Sequence, residues 1–174
     1  MDLLDFQAEQ LYFDEPIDAG ARQAIDSAAE HYGEDEAEQD LLRAYFLEPE
    51  HPLVLVALYR YFYYQHRLAE AIRVADRVIR VFAKRLNLPE DWRLLNKSSF
   101  ENGVMVSMTT MRFYMLALKG AGYLDLRMGQ YESAMAKLEK VAELDENDRL
   151  GAKALLTIAR ESLNQQTTMQ AAGA

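Results

Sequence analysis

The sequence predicts an all-α protein, and three observations carry that expectation. Apolar residues recur at helical spacing, as in Leu138, Val141 and Leu144, which fall on one face of a helix. The pattern returns along the chain: Ala71, Ala75 and Val78, shifted back by 34 residues, land on Ala37, Leu41 and Ala44. Shifted forward by 63, they land on Ala134, Leu138 and Val141. Helix start and stop signals separate the segments, with Pro49 and Pro52, Gly129-Gln130 and Asp145-Glu146-Asn147 at the joints. A period near 34 residues marks paired helices, each pair a unit that buries its apolar face by stacking on the next.

The elements follow in order. Residues 2–12 carry Leu3, Leu4, Phe6 and Leu11 and predict a short amphipathic helix, after which Asp14-Glu15-Pro16 starts the next. Helices over about 15–31 and 35–47 make the first pair, spanning about 15–49. Pro52 suits a first helical turn, so helices over about 52–65 and 68–86 make the second. The longer shift contains one further repeat and about 29 extra residues, placing an insertion at about 86–114. Within it, Asn87-Leu88-Pro89-Glu90-Asp91-Trp92 reads as a break followed by a short helix. Asn96 to Gly103, with Ser98 and Ser99, reads as a loop. The third pair covers about 104–146: Val104 to Met128, as one helix or two, then 131–144. A last helix over about 148–163 covers the exposed face of that pair, and 165–174 is expected to fray.

Small residues at Ala37, Ala44, Ala71, Ala75 and Ala134 let neighbouring helices approach closely. Gly120 and Gly122 serve the same purpose in the third pair; each costs about 1 kcal/mol against alanine inside a helix, which close backbone contact must offset. Tyr131-Glu132-Ser133-Ala134 after Gly129, followed by Leu138, Val141 and Leu144, resembles the tetratricopeptide repeat. The resemblance implies a short right-handed superhelix of three helical hairpins with a C-terminal capping helix. It also implies a non-catalytic protein-binding role, as an adaptor or chaperone. Two departures stand out: the insertion, and His66 where the family usually has glycine. In size, charge and layout the chain is similar to the chaperones of type III secretion translocators, a likeness of architecture alone. The family's lysine and asparagine clamp for terminal carboxylates is not matched, since the first pair offers Arg22 and Asp26.

Composition narrows the partners. The 174 residues are half apolar, enough for one well-buried domain, and a formal net charge of -9 disfavours phosphate backbones and anionic membranes. The expected partner is therefore a protein or peptide, not a nucleic acid. No stretch approaches the ~20 apolar residues of a membrane span, and the acidic start Met1-Asp2-Leu3-Leu4-Asp5-Phe6 is unlike a signal peptide. The absence of cysteine removes disulfides and thiolate metal sites, consistent with a cytoplasmic protein.

By the family's geometry, the first helix of each pair lines a concave groove. The residues placed there are Arg60, Tyr63 and Tyr64 in the second pair and Lys119, Tyr123 and Arg127 in the third. Tyrosine and arginine combine contact area with directional hydrogen bonds, so these six are the expected partner-binding residues. A second candidate surface is the insertion, with Trp92 and a stripe of Met105, Met108, Met111 and Met115 on one helical face. Core packing is the competing expectation for the stripe. The rival role is assembly, a homo-oligomer or a docked subunit using residues 2–12 or the insertion, with Leu3, Leu4 and Phe6 filling the groove.

No catalytic or cofactor site is expected. His31, His51 and His66 lie near helix ends without metal-ligand spacing, and Glu34-Asp35-Glu36 and Asp145-Glu146 suit helix starts and turns. Lys119-Gly120-Ala121-Gly122 has no preceding strand to make it a phosphate loop.

Overall fold

The computed structural model describes residues 15–172, with side chains to Met169, and among these it contains eight α-helices and no strand. They are α1 (Ala19–Glu30), α2 (Asp35–Leu47), α3 (Pro52–Tyr64), α4 (Leu68–Arg85), α5 (Lys97–Val106), α6 (Met108–Arg127), α7 (Tyr131–Leu144) and α8 (Ala152–Ala172). A 3-10 turn, Trp92–Leu94, precedes α5. The amphipathic segment expected at 2–12, with Leu3, Leu4 and Phe6, lies outside the described residues. Among those described, no helix is long and apolar enough to cross a membrane.

Local chemistry fixes the ends. The Asp18 carboxylate accepts from the backbone N–H groups of Gly20 and Ala21 at 2.8 and 3.1 Å and caps α1. His51 caps α3 through Nδ1, which accepts from Leu53 N–H at 3.2 Å, while Pro52 occupies the first turn with no N–H to satisfy. Its Nε2 lies 3.3 Å from the Glu15 carbonyl. His66 follows the end of α3 with φ 57°, and Gly129, 63 residues on, follows the end of α6 with φ 73°. At both places a backbone bond of 2.9 Å closes the turn, from Arg67 N to Phe62 O and from Gln130 N to Asp125 O. The turn geometry thus repeats even where histidine replaces glycine.

Helices α1 and α2, α3 and α4, and α6 and α7 pack as pairs, α4 also lies along α6, and α8 covers α7. Ala37, Ala44, Ala71, Ala75 and Ala134 are all fully buried at these crossings. Helix α6 is the centre of the molecule, buried almost continuously from Phe113 to Gly122. Phe82 of α4 meets Phe113 of α6 edge to face at 4.8 Å. A Cβ at Gly122 would stand 3.0 Å from Leu138 Cγ and 3.3 Å from Lys137 Cβ, so glycine there sets the closeness of α6 and α7.

Two expectations need correction, and a third point, left open, is decided. Residues 96–103 form most of a helix, α5, not a loop: Asn96 Oδ1 caps it by accepting from Ser99 N–H at 2.9 Å. Gly103 lets it sit down on α6, since a Cβ there would stand 2.7 Å from Met111 Sδ. Val104 to Met128 is two helices, broken at Ser107, whose extended backbone (φ -163°, ψ 113°) lets its hydroxyl accept from Thr110 N–H. Helix α8 runs to Ala172, through residues expected to fray.

Candidate functional site

Four of the six expected groove residues come together where α3 and α6 end. Tyr63 stacks on Tyr59 with ring centroids 6.3 Å apart and meets Tyr64 edge to face at 5.4 Å. Its hydroxyl lies 3.4 Å from that of Tyr123, across 60 residues of sequence. Arg127 Nη1 donates to the same Tyr123 hydroxyl at 3.2 Å, one helical turn away, and its guanidinium stands 5.9 Å from the Tyr123 ring centroid. That hydroxyl is why the Arg127 guanidinium is held above its ordinary value. Arg127 is exposed and Tyr64 is half-exposed, while Tyr63 and Tyr123 are partly buried. The result is a rigid aromatic shelf with one positioned cation at its edge. A positioned guanidinium presents several donors in one plane, suited to carboxylates and backbone carbonyls.

Arg60 lies one turn earlier on α3 and is half-buried. Lys119 does not belong to this face. It is 5 % exposed, and its Nζ donates to the Leu150 carbonyl at 2.9 Å, bracing the connection between α7 and α8. The repeat alignment gives the direction of its Cα–Cβ bond, but the covering α7–α8 connection decides where its amine ends.

The second expected surface divides. Trp92 is buried: the Arg93 guanidinium lies over its ring at 4.4 Å and Lys137 Nζ stands 5.9 Å from it. Met111 and Met115 are core residues at 1 % exposure, whereas Met105 and Met108 are 85 % and 64 % exposed. The break at Ser107 turns α5 away from the axis of α6 and splits the stripe. Beside that break lies a groove of about 600 Å³, with Phe100, Val104, Met108, Met111 and Met115 along one side and Leu144 and Leu150 along the other.

Sequence reasoning missed a buried ionic cluster beneath α7. Asp125, 1 % exposed, accepts through Oδ2 from Lys137 Nζ and from Ser133 Oγ, both at 2.6 Å, and Lys137 Nζ also donates to Ser133 Oγ at 3.0 Å. Ser133 and Lys137 are one turn apart on α7, and the i, i+4 spacing of a hydroxyl and an amine facing α6 is the one signal the sequence held. Half-buried Asp76 of α4 faces the same cluster. Burial holds its carboxyl above the ordinary value; Lys137 and Arg80 oppose that shift and Asp125 reinforces it. Bonded in this way, the cluster ties α7 to α6. Among the described residues, no group of three or more His, Asp or Glu side chains is arranged to hold a metal ion.

No family model matches the sequence, and no solved structure matches it. It is 46 % identical over 161 residues to a protein of Azotobacter chroococcum mcd 1 described as an uncharacterized 19.8 kDa protein in the nifW 5' region, covering 92 % of this chain and 90 % of that one. The chain therefore belongs to the family of that Azotobacter protein.

Proposed function

We propose that this protein is a cytoplasmic, non-catalytic binding scaffold, an adaptor or chaperone built as a short superhelix of three tetratricopeptide-like hairpins with α8 as its cap. It takes a peptide or helix of a partner protein along the face where α3 and α6 end. The observation that carries this is the Tyr63–Tyr123–Arg127 cluster, which joins two helices 60 residues apart and leaves Tyr64 and Arg127 accessible. The recurrence of one left-handed turn at His66 and Gly129, a repeat and an insertion apart, favours the repeat architecture.

The test places a photo-crosslinking amino acid at position 64 of the full chain in its native host. A discrete protein adduct is expected, and Arg127→Glu should reduce it at least about tenfold, the effect of losing one charged hydrogen bond to a partner. No adduct, or one indifferent to Arg127→Glu, refutes the proposal. Because the relative's name sets it in the 5' region of nifW, the nifW product is the first candidate to seek in that adduct.

A further inference from the structure

We infer that the methionine-lined groove beside α5 is a self-association surface, filled by the α5–α6 corner of a second copy of this chain. The groove and its filling lie side by side on one molecule. Its floor is apolar and adaptable, with Met111 and Met115 between Phe100 on one side and Leu144 and Leu150 on the other. At its mouth is Met108, and next to it Met105 and Val106 project outward, 85 % and 54 % exposed. Ser107 produces this arrangement, because its extended backbone stops the methionine stripe from continuing down the buried face of α6. A cavity and an apolar projection on adjacent surfaces are what a two-fold contact requires, since the projection of each copy enters the cavity of the other.

Charge selects the same occupant. The α5–α6 wall of the groove carries Lys97, Glu101 and Arg112, and the opposite wall carries Glu143, Glu146 and Arg149. A two-fold arrangement sets each wall against the opposite wall of the second copy, so Lys97 meets Glu146 and Glu101 meets Arg149, while Glu143 stays with Lys140 of its own chain at 2.7 Å. The pairing chemistry is already present within one chain: Lys97 Nζ bridges to Glu146 Oε1 at 2.9 Å across the mouth. Both side chains are about 70 % exposed, so the bridge holds the mouth weakly and can exchange to a second copy.

Sedimentation of the full chain, from micromolar to on the order of hundreds of micromolar, reads the result. The mass should rise with concentration from 20.0 kDa toward twice that value. Met108→Asp and, separately, Met105→Asp should each raise the dimer Kd at least about tenfold with helicity unchanged by circular dichroism. Should Met108→Asp lose helicity, Met105→Asp decides, because its side chain is almost wholly in solvent. Glu146→Lys should weaken the dimer, and Lys97→Glu in the same chain should recover part of the loss. A monomer throughout the range overturns the inference, as does a dimer indifferent to both aspartates.

Discussion

Replacing Lys137 with methionine should be among the most damaging single changes available in this protein. Methionine keeps most of the aliphatic stem, so what is removed is the ammonium. Among the described residues, Asp125 then remains 1 % exposed with Ser133 as its one remaining side-chain donor, because the 2.6 Å bond from Lys137 is gone. Stranding one member of a buried ion pair costs about 3–5 kcal/mol. The lost cation–ring contact with Trp92, at 5.9 Å, adds no more than about 1 kcal/mol. For a chain of this length each kcal/mol lowers Tm by about 2–4 °C, so Lys137→Met should melt roughly 6–24 °C below the parent. Urea titration followed by circular dichroism should give the same loss with an unchanged slope. The double variant Asp125→Leu/Lys137→Met removes both charges and should recover to within about 1–2 kcal/mol of the parent, with half-buried Ser133 turning to water. A single variant within about 1 kcal/mol of the parent would refute the argument, since the pair would then cost nothing to break. So would a double variant no better than the single.

Two further outcomes follow from buried polar groups. The Tyr114 hydroxyl is buried without a hydrogen-bond partner among the described residues, and burial raises its pKa, so Tyr114→Phe should stabilise by about 1 kcal/mol, seen as a higher urea midpoint. Asp76 has a folded pKa above its ordinary 3.8, so the folded state holds this proton more tightly than the unfolded one. Its contribution to stability is therefore greatest below that value and falls as pH rises toward the folded value. The gain from Asp76→Asn, measured by urea titration at several pH values, should grow over that window and level off above it; a constant gain would contradict the shift.

The all-α class and the paired helices were legible because close crossings demand small side chains, and Ala37, Ala71 and Ala134 are fully buried where helices cross. The insertion was harder to read for a local reason. Asn96, Ser99 and Gly103 have the composition of a loop, yet in α5 each has a helical role: Asn96 caps, Ser99 receives the cap, and Gly103 admits Met111. Composition alone does not separate a loop from a short helix that must start sharply and pack closely. The methionine stripe failed in the complementary way. Spacings of three and four promised one face, and a single extended residue, Ser107, divided it into Met111 and Met115 inside and Met105 and Met108 outside.

Long charged side chains set the limit of site reading, and the contrast between Lys119 and Arg127 shows why. They are eight residues apart on α6, but the connection to α8 buries the first and leaves the second in solvent. No repeat pattern contains that information, because it depends on what covers the helix. The position of Arg127 has a further consequence. A cation in the last turn of a helix stabilises it by about 0.3–1 kcal/mol whatever it binds, so charge reversal there weakens α6 as well as any partner contact. Arg127→Lys separates the two effects. It keeps the charge at the end of α6 and so should leave Tm within about 1 °C, but it loses the planar donor fork that the Tyr123 hydroxyl positions at 3.2 Å. If that fork reads a partner, the crosslink at position 64 should fall with Arg127→Lys nearly as far as with Arg127→Glu. If capture survives in the lysine variant, charge alone suffices and the shelf formed by Tyr63, Tyr64 and Tyr123 must carry the specificity.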